Sequence, residues 1–439
     1  MAGGNNISVV FDEFLFLKIF RTFRMAIQPT KLIITFVALA FISLSGWLMD
    51  FSKTVGVTRN INGKTTNSEL QIYMTEGLTS QEKNDRIRYL RETGERSGVF
   101  KILWNSASTH FKQAVDSVYA HSIVGVVTNI REFFESLEWA IKYHFVYCVI
   151  FFIIVLAAMS AAGGSICRIA ALQNAQGEKP GLTEAVRFST KRFKSLFTAP
   201  LLPFFIIFVV GILIFIPGLL GNIPKAGDII LGLGMPLALF AGTLIAVVLI
   251  GAIAGFNLMF PAVAYDGSDS FDSISRSFSY VYARPWRMLF YTSIAAIYGS
   301  ICYSFVRIVT FLALAVAHVF LWLVIWTNNS TGQENRIDAI WPKPEFRTFF
   351  GTSTVAAVTW PEKIGHFLIY ICVLFIVGLV VSFIISFYFS ANTIIYSLLR
   401  NKVDNTEITD IYTYYNERGN EPNVPDDSAQ KQAESESES

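Results

Sequence analysis

Long apolar runs broken by short charged segments set the pattern of this chain. A helix that crosses a bilayer needs about 20 consecutive apolar residues, since only a helix satisfies its own backbone groups away from water. Six runs meet that length: about Lys31–Phe51, His144–Leu172, Leu196–Leu220, Leu231–Tyr265, Met288–Trp326 and Ile364–Leu399. Several exceed the thickness of the hydrocarbon and must tilt, kink or continue beyond it. Pro203, Pro217 and Pro236 are the expected kink or end points, and 216–235 is expected to hold a short re-entrant or interfacial turn.

The polar segments between the runs repeat a pattern. Ahead of the fifth run, Phe271, Ile274, Phe278 and Val281 share one face of a helix, with Ser273, Arg276, Ser277 and Tyr280 on the other. Leu182, Ala185, Val186, Ser189 and Phe193 line up similarly before the third run, and Phe11, Leu15, Thr22 and Phe23 before the first. The expected unit is amphipathic helix, span, outer segment, span, occurring three times. The predicted fold class is therefore all-α integral membrane: a six-helix transmembrane bundle of three helix-hairpin repeats with interfacial amphipathic helices on the cytoplasmic side. Its segments are 1–30 (amphipathic helix), 31–51 (span one), 52–143 (outer module), 144–265 (spans two to four, with helix 182–195), 266–287 (interfacial helix), 288–399 (spans five and six, with outer segment 327–362) and 400–439 (polar, acidic tail).

Lysine and arginine at the span ends give the orientation. Lys18, Arg21 and Arg24 precede span one; Arg168, Lys179, Arg187, Lys191, Arg192 and Lys194 follow span two; Arg276, Arg284 and Arg287 follow span four; Arg400 and Lys402 follow span six. Both termini are expected in the cytoplasm of a bacterial cell, with the protein in its inner membrane and 52–143 and 327–362 outside. Asp12, Glu13 and the long run after Lys31 argue against a cleaved secretory signal. Within 52–143 the pattern predicts a hairpin over Val55–Thr66 turning at Asn62-Gly63, and a helix from Thr79 to Thr93 capped by Ser80. A further amphipathic helix, Ile123–Tyr143, is expected to run into span two. Segment 327–362, with Pro342, Pro344 and Pro361, is expected to be irregular, and its Asn328 and Asn329 glycosylation patterns carry no meaning in a bacterial chain.

Composition agrees. Of 439 residues, 53% are hydrophobic and only 15% charged, against about a quarter in an ordinary soluble domain. A net charge of +2 gives no field for nucleic acid. Cys148, Cys167, Cys302 and Cys372 lie in apolar runs and fit small buried hydrophobes. The five histidines have no ligand spacing, no phosphate-loop, zinc-protease or nucleophile-elbow motif is present, and SQEK (80–83) fits a helix start better than a nucleophile. No cofactor, metal or catalytic residue is expected. DGSDSFD (266–272) lacks the spacing of a calcium loop; its carboxylates and hydroxyls suit helix capping.

The remaining candidates are cations. Arg24, Arg192, Arg276, Arg284, Arg287 and Arg307 are the expected contacts for lipid or anion. Arg307 lies deep in the fifth run. Either it lines a polar cavity and holds an anion, or span five ends near Phe311 and the side chain reaches the outer headgroups; the second is preferred. Small residues in AAMSAAGGS (157–165), and Gly242, Ala246, Gly251, Ala252, Ala254 and Gly255, allow close helix approach; a conduction path is the alternative.

DSISRSF (272–278) with RPWRMLF (284–290) resembles a segment of the membrane regions that accompany some bacterial glycerophosphodiester phosphodiesterases. IIYSLLRNKVD (394–404) resembles the ends of uncharacterised multi-span membrane proteins of planctomycete-type bacteria. Each resemblance covers 20–30 residues, implies a membrane protein and brings no activity, because the phosphodiesterase catalytic domain has no counterpart here. The expected function is non-enzymatic: a membrane scaffold or accessory protein that engages anionic lipids, and protein partners through 52–143. The alternative is a transporter or channel for a small solute or lipid; an intramembrane enzyme ranks third.

Overall fold

The computed structural model describes residues 15–59, 65–224, 226–328, 335–346, 349–350 and 359–412. It is mostly helical, at 82%, with six helices long and apolar enough to span a membrane. A 3₁₀ turn (Leu15–Arg21) leads into α1 (Thr22–Ala26), so the helix expected over 1–30 is short where it is described, and Phe11 lies outside the described residues. Helix α2 (Pro29–Met49) starts on a proline, whose missing N–H has no helical partner to lose.

The segment after α2 folds as strands and helices. Strand β1 (Val55–Arg59) pairs antiparallel with β2 (Thr65–Ser68), Val57 opposite Ser68; the Asn62-Gly63 turn lies outside the described residues. Helices α3 (Glu69–Met74) and α4 (Ser80–Thr93) follow, then β3 (Glu95–Ser97), which completes a sheet of order β2-β1-β3. Thr79, and not Ser80, caps α4. Its hydroxyl accepts from Glu82 N while its own N–H donates to the Glu82 carboxylate, a reciprocal pair that Ser80 at the first helical position cannot make. Helices α5 (Val99–Tyr119) and α6 (Ile123–Tyr143) complete the segment. α6 does not run into the next span: His144 leaves helical geometry at φ −135°, ψ 42°, and α7 (Phe145–Ala175) begins after it.

The helix expected over 182–195 is two pieces, α8 (Leu182–Lys191) and α9 (Phe193–Thr198), parted at Arg192. Helix α10 (Leu202–Leu220) therefore starts later than the apolar run, with Pro203 in its first turn. A short turn within the stretch 216–235 joins it to α11 (Gly227–Asp266), which carries Pro236 and Pro261 in its interior. Gly267, at φ +63°, ends α11 in a left-handed conformation that glycine adopts without cost. Asp269 then caps α12 (Ser270–Ala283). Pro285 forces Arg284 out of helical geometry and opens α13 (Pro285–Val324), which runs unbroken past Phe311. Segment 327–362 is not wholly irregular: it holds α14 (Arg336–Ile340), and Pro361 lies in the first turn of α15 (Trp360–Val403).

The chain divides into two compact units. One comprises Met1–Ile19, Gly163–Tyr291 and Phe389–Ser439; the other comprises Phe20–Ala162 and Thr292–Tyr388. The core of the first is made by Ile166 and Ala170 of α7, Phe188 of α8, Leu196 of α9, Leu258 and Met259 of α11, and Ile394 to Leu399 of α15. Gly163 and Gly164 admit their neighbours here: an added Cβ would lie 2.5 Å from the Phe389 ring or 2.3 Å from Leu196. In the second unit Val55, Leu70, Val99, Trp139 and Ala140 form one cluster, and Leu314, Ile337, Trp341, Phe349 and Val373 another.

Candidate functional site

The densest polar cluster among the described residues gathers where α11 ends. Asp266 is the last residue of α11, and its side chain is only 6% exposed. A carboxylate there meets the negative end of the helix dipole and loses its water. Two arginines and a phenol offset both penalties. Arg276 Nη1 of α12 lies 3.2 Å from Oδ2, Arg400 Nε of α15 lies 3.1 Å from Oδ1, and Tyr396 donates its hydroxyl to Oδ2. The Arg400 contact is an ion pair without hydrogen-bond geometry.

Each partner is held in turn. Arg276 also bridges Asp272, one helical turn earlier on α12, at 3.0 Å. Arg400 donates to the Asp410 carbonyl (2.6 Å) and carboxylate (3.2 Å) and lies over the Tyr265 ring. Tyr265 donates to the Ile408 carbonyl, and its own carbonyl accepts from Tyr412 N (2.9 Å). Asn174 of α7 donates to the Tyr265 hydroxyl (3.1 Å) and to Ser397 (2.9 Å). Segment 405–412 thus lies as a strap tied to α11 and α15. Arg192 closes it, donating to the Tyr412 hydroxyl at 3.1 Å and lying over that ring. Tyr280 of α12 donates to Asp404; burial and this bond push its phenol well above its usual value, so it stays a donor.

The buried face of α12 is wider than its apolar residues. Ile274 and Val281 are buried and Phe278 packs beside them, but Ser273, Ser277 and Tyr280 are buried with them, and Phe271 is 67% exposed. Ser273 donates to the Met259 carbonyl of α11 at 2.7 Å. The small residues of α11 make the seat: a Cβ on Gly251 would lie 3.0 Å from the Phe278 ring, and one on Gly255 3.4 Å from Ser277. A serine whose hydroxyl finds a backbone carbonyl buries as easily as an alanine. Nor does Asp266 cap α12; Asp269 does, accepting from Asp272 N at 2.8 Å.

Of the six candidate arginines, Arg276 enters the Asp266 cluster and Arg192 the strap. Arg284 and Arg287 are exposed on either side of Pro285 and Trp286, and Trp286 is 80% exposed. Neither has a carboxylate partner among the described residues. Arg24 is exposed in α1. Arg307 is buried at 5%; its Nε and Nη2 donate to the Phe346 carbonyl at 3.2 and 3.0 Å, and it lies 4.6 Å over the Phe346 ring. Its helix α13 continues past Phe311 to Val324.

The second unit also buries the Glu69 carboxylate. Glu69 accepts bidentately from Arg91 (2.9 and 2.8 Å) and from Gly56 N, with His144 Nε2 at 3.8 Å. Burial pushes its carboxyl up, but the bonds from His144, Arg91 and Gly56 outweigh that and hold it below the usual carboxylate range.

Sequence reasoning missed Asp266, Tyr265, Tyr280, Tyr396, Asp404 and Asn174 as a set. The one available signal was an aspartate closing an apolar run, with an arginine closing another. Among the described residues no three His, Cys, Asp or Glu side chains gather as a metal ion requires. The contacts of Asp266 tie the ends of α11, α12 and α15 together as a clasp. No family model matches the chain, and no curated protein or solved structure matches it either.

Proposed function

We propose that this chain is a non-enzymatic polytopic membrane protein, a scaffold or accessory factor that engages anionic lipid and, through 52–143, partner proteins. The observation that carries this reading is the exposed Arg284-Pro285-Trp286-Arg287 turn between α12 and α13. A bare tryptophan between two guanidiniums without acidic partners suits the headgroup layer, where indoles partition and cations meet phosphate. The deep charges have a different fate. Arg276 and Arg400 are paired with Asp266, Asp272 and Asp410, and Arg307 donates to a backbone carbonyl. In this reading the turn faces the cytoplasm of a bacterial cell, both termini lie on the same side, and the three amphipathic-helix, span, outer-segment, span units form the repeat. The transporter or channel alternative would need Arg307 to line a shared polar cavity, whereas its guanidinium donates to the Phe346 carbonyl.

The test is lipid retention. Purified protein should keep phosphatidylglycerol over phosphatidylcholine in native mass spectrometry, and Arg284→Gln with Arg287→Gln should reduce that excess. Equal retention of both lipids by the wild-type chain would sink the lipid reading. Solute flux in proteoliposomes would restore transport.

A further inference from the structure

A second basic and aromatic surface lies at the C-terminal end of α2. A cleft of about 370 Å³ is lined by Trp47, Asp50 and Phe51 from the end of α2, Lys53 beyond it, and Arg96, Lys101 and Trp104 from β3 and α5. That volume falls in the range of small-ligand sites. Lys53, Arg96 and Lys101 are exposed, and none has a carboxylate partner among the described residues; Arg96 makes only a long bond, 3.4 Å, to the Thr54 carbonyl. The one lining carboxylate is already spent. Asp50 Oδ1 accepts from Phe100 N (2.9 Å) and Tyr147 (3.0 Å), and Oδ2 from Lys101 N (3.0 Å). Lys53 sits at φ +40°, in the left-handed region.

We infer that this cleft binds the phosphate of an anionic amphiphile, a phospholipid headgroup. The cations supply the phosphate contact. The apolar wall supplies the rest: Trp47 is 61% exposed, and Leu44, Leu48 and Phe51 beside it are equally bare, a surface that fits acyl chain below a headgroup. Three cations against the single Asp50 carboxylate leave the cleft net positive, so a choline cation is disfavoured there relative to a headgroup of net negative charge. Inorganic phosphate shares the phosphate chemistry but leaves the apolar wall unused. The inference rests on α2 crossing a bilayer and is independent of which side the cleft faces. It is also separate from the Arg284–Arg287 turn.

The experiment is thermal unfolding of the full-length chain in neutral detergent with phosphatidylglycerol, phosphatidylcholine or inorganic phosphate added. Phosphatidylglycerol is expected to raise the midpoint, and Lys53→Gln/Arg96→Gln/Lys101→Gln to raise the half-maximal lipid concentration at least about tenfold. Lys101→Glu alone gives a second reading should the triple variant not fold. Response to inorganic phosphate alone, lost in these variants, keeps the anion site and removes the lipid as its source. Equal response to both lipids, or a phosphatidylglycerol response unchanged in the variants, overturns the proposal. Arg284→Gln/Arg287→Gln run beside them reports the proposed function by itself, because those residues do not line the cleft.

Discussion

Asp266 shows how much one buried charge demands of its surroundings. With 6% of its side chain exposed at a helix C-terminus, it persists only because Arg276, Arg400 and Tyr396 converge on it. Removing one partner of a buried pair costs about 3–5 kcal/mol, while removing both charges together costs far less. Arg400→Met should therefore destabilise the protein by about 3 kcal/mol, the low end, since Arg276 still faces the carboxylate. Asp266→Leu with Arg400→Met should recover most of that loss in chemical denaturation. A double variant no better than the single one would mean that Arg400 matters through Asp410 and the strap instead. Glu69 makes the pH counterpart. Its folded value is depressed, so its contribution is fully present above the ordinary carboxyl value of 4.5 and is lost as pH falls through the lower folded value. Limited proteolysis of the 52–143 segment should accelerate in that acid window, and Glu69→Gln should flatten the dependence.

At the scale of elements, junctions decide more than helix interiors do. Gly267 and Gly177 both hold positive φ, +63° and +75°. Around Gly177 nothing lies within 4 Å of an added Cβ, whereas at Gly267 that atom would meet the Tyr412 ring at 2.7 Å. Gly177→Ala should cost about 1 kcal/mol from backbone strain alone. Gly267→Ala should cost more and should speed proteolysis within 405–412, because the strap must lift; equal effects would show that Tyr412 yields freely. The sequence made the helices legible through their period and their starts, as at Pro29 and Pro285. The break at Arg192 and the cap at Thr79 were harder to see. A break of one residue leaves the apolar pattern intact, and Thr79 and Ser80 are chemically alike, so only geometry distinguishes them. The buried face of α12 proved wider than its apolar residues, because Ser273 and Ser277 satisfy themselves on carbonyls that no local pattern reveals.

On the whole molecule, apolar length and packing separate along single helices. Helix α11 has 40 residues and α15 has 44, each about twice what a bilayer requires. In α15 the first part bares Phe367, Leu368, Leu374 and Phe375, while every residue from Ser390 to Arg400 is buried. In α11 Leu233, Leu239, Phe240 and Ile253 are bare, and Leu258 to Tyr265 are packed apart from Phe260. The bare lengths are the ones expected in lipid. Single cysteines at positions 53 and 101 should label with an impermeant thiol reagent from one side of sealed vesicles, and a cysteine at 284 from the other. Labelling of all three from one side would overturn the proposed orientation. Arg307→Cys should label little from either side, since the side chain there is covered; ready labelling from both sides would reveal a water-filled path and favour transport.

What the sequence determined by itself is the class of molecule and the number of long apolar helices. A chain so short of charge must satisfy its backbone inside helices, and that requirement is local. The tertiary structure alone decided which apolar lengths are packed and which bare, because hydropathy treats a lipid neighbour and a protein neighbour alike. It also decided where the charges go. Asp266, Arg276 and Arg400 are spread over 135 positions of sequence and carry no mutual signal until α11, α12 and α15 end at one place. There the low dielectric makes their pairing obligatory.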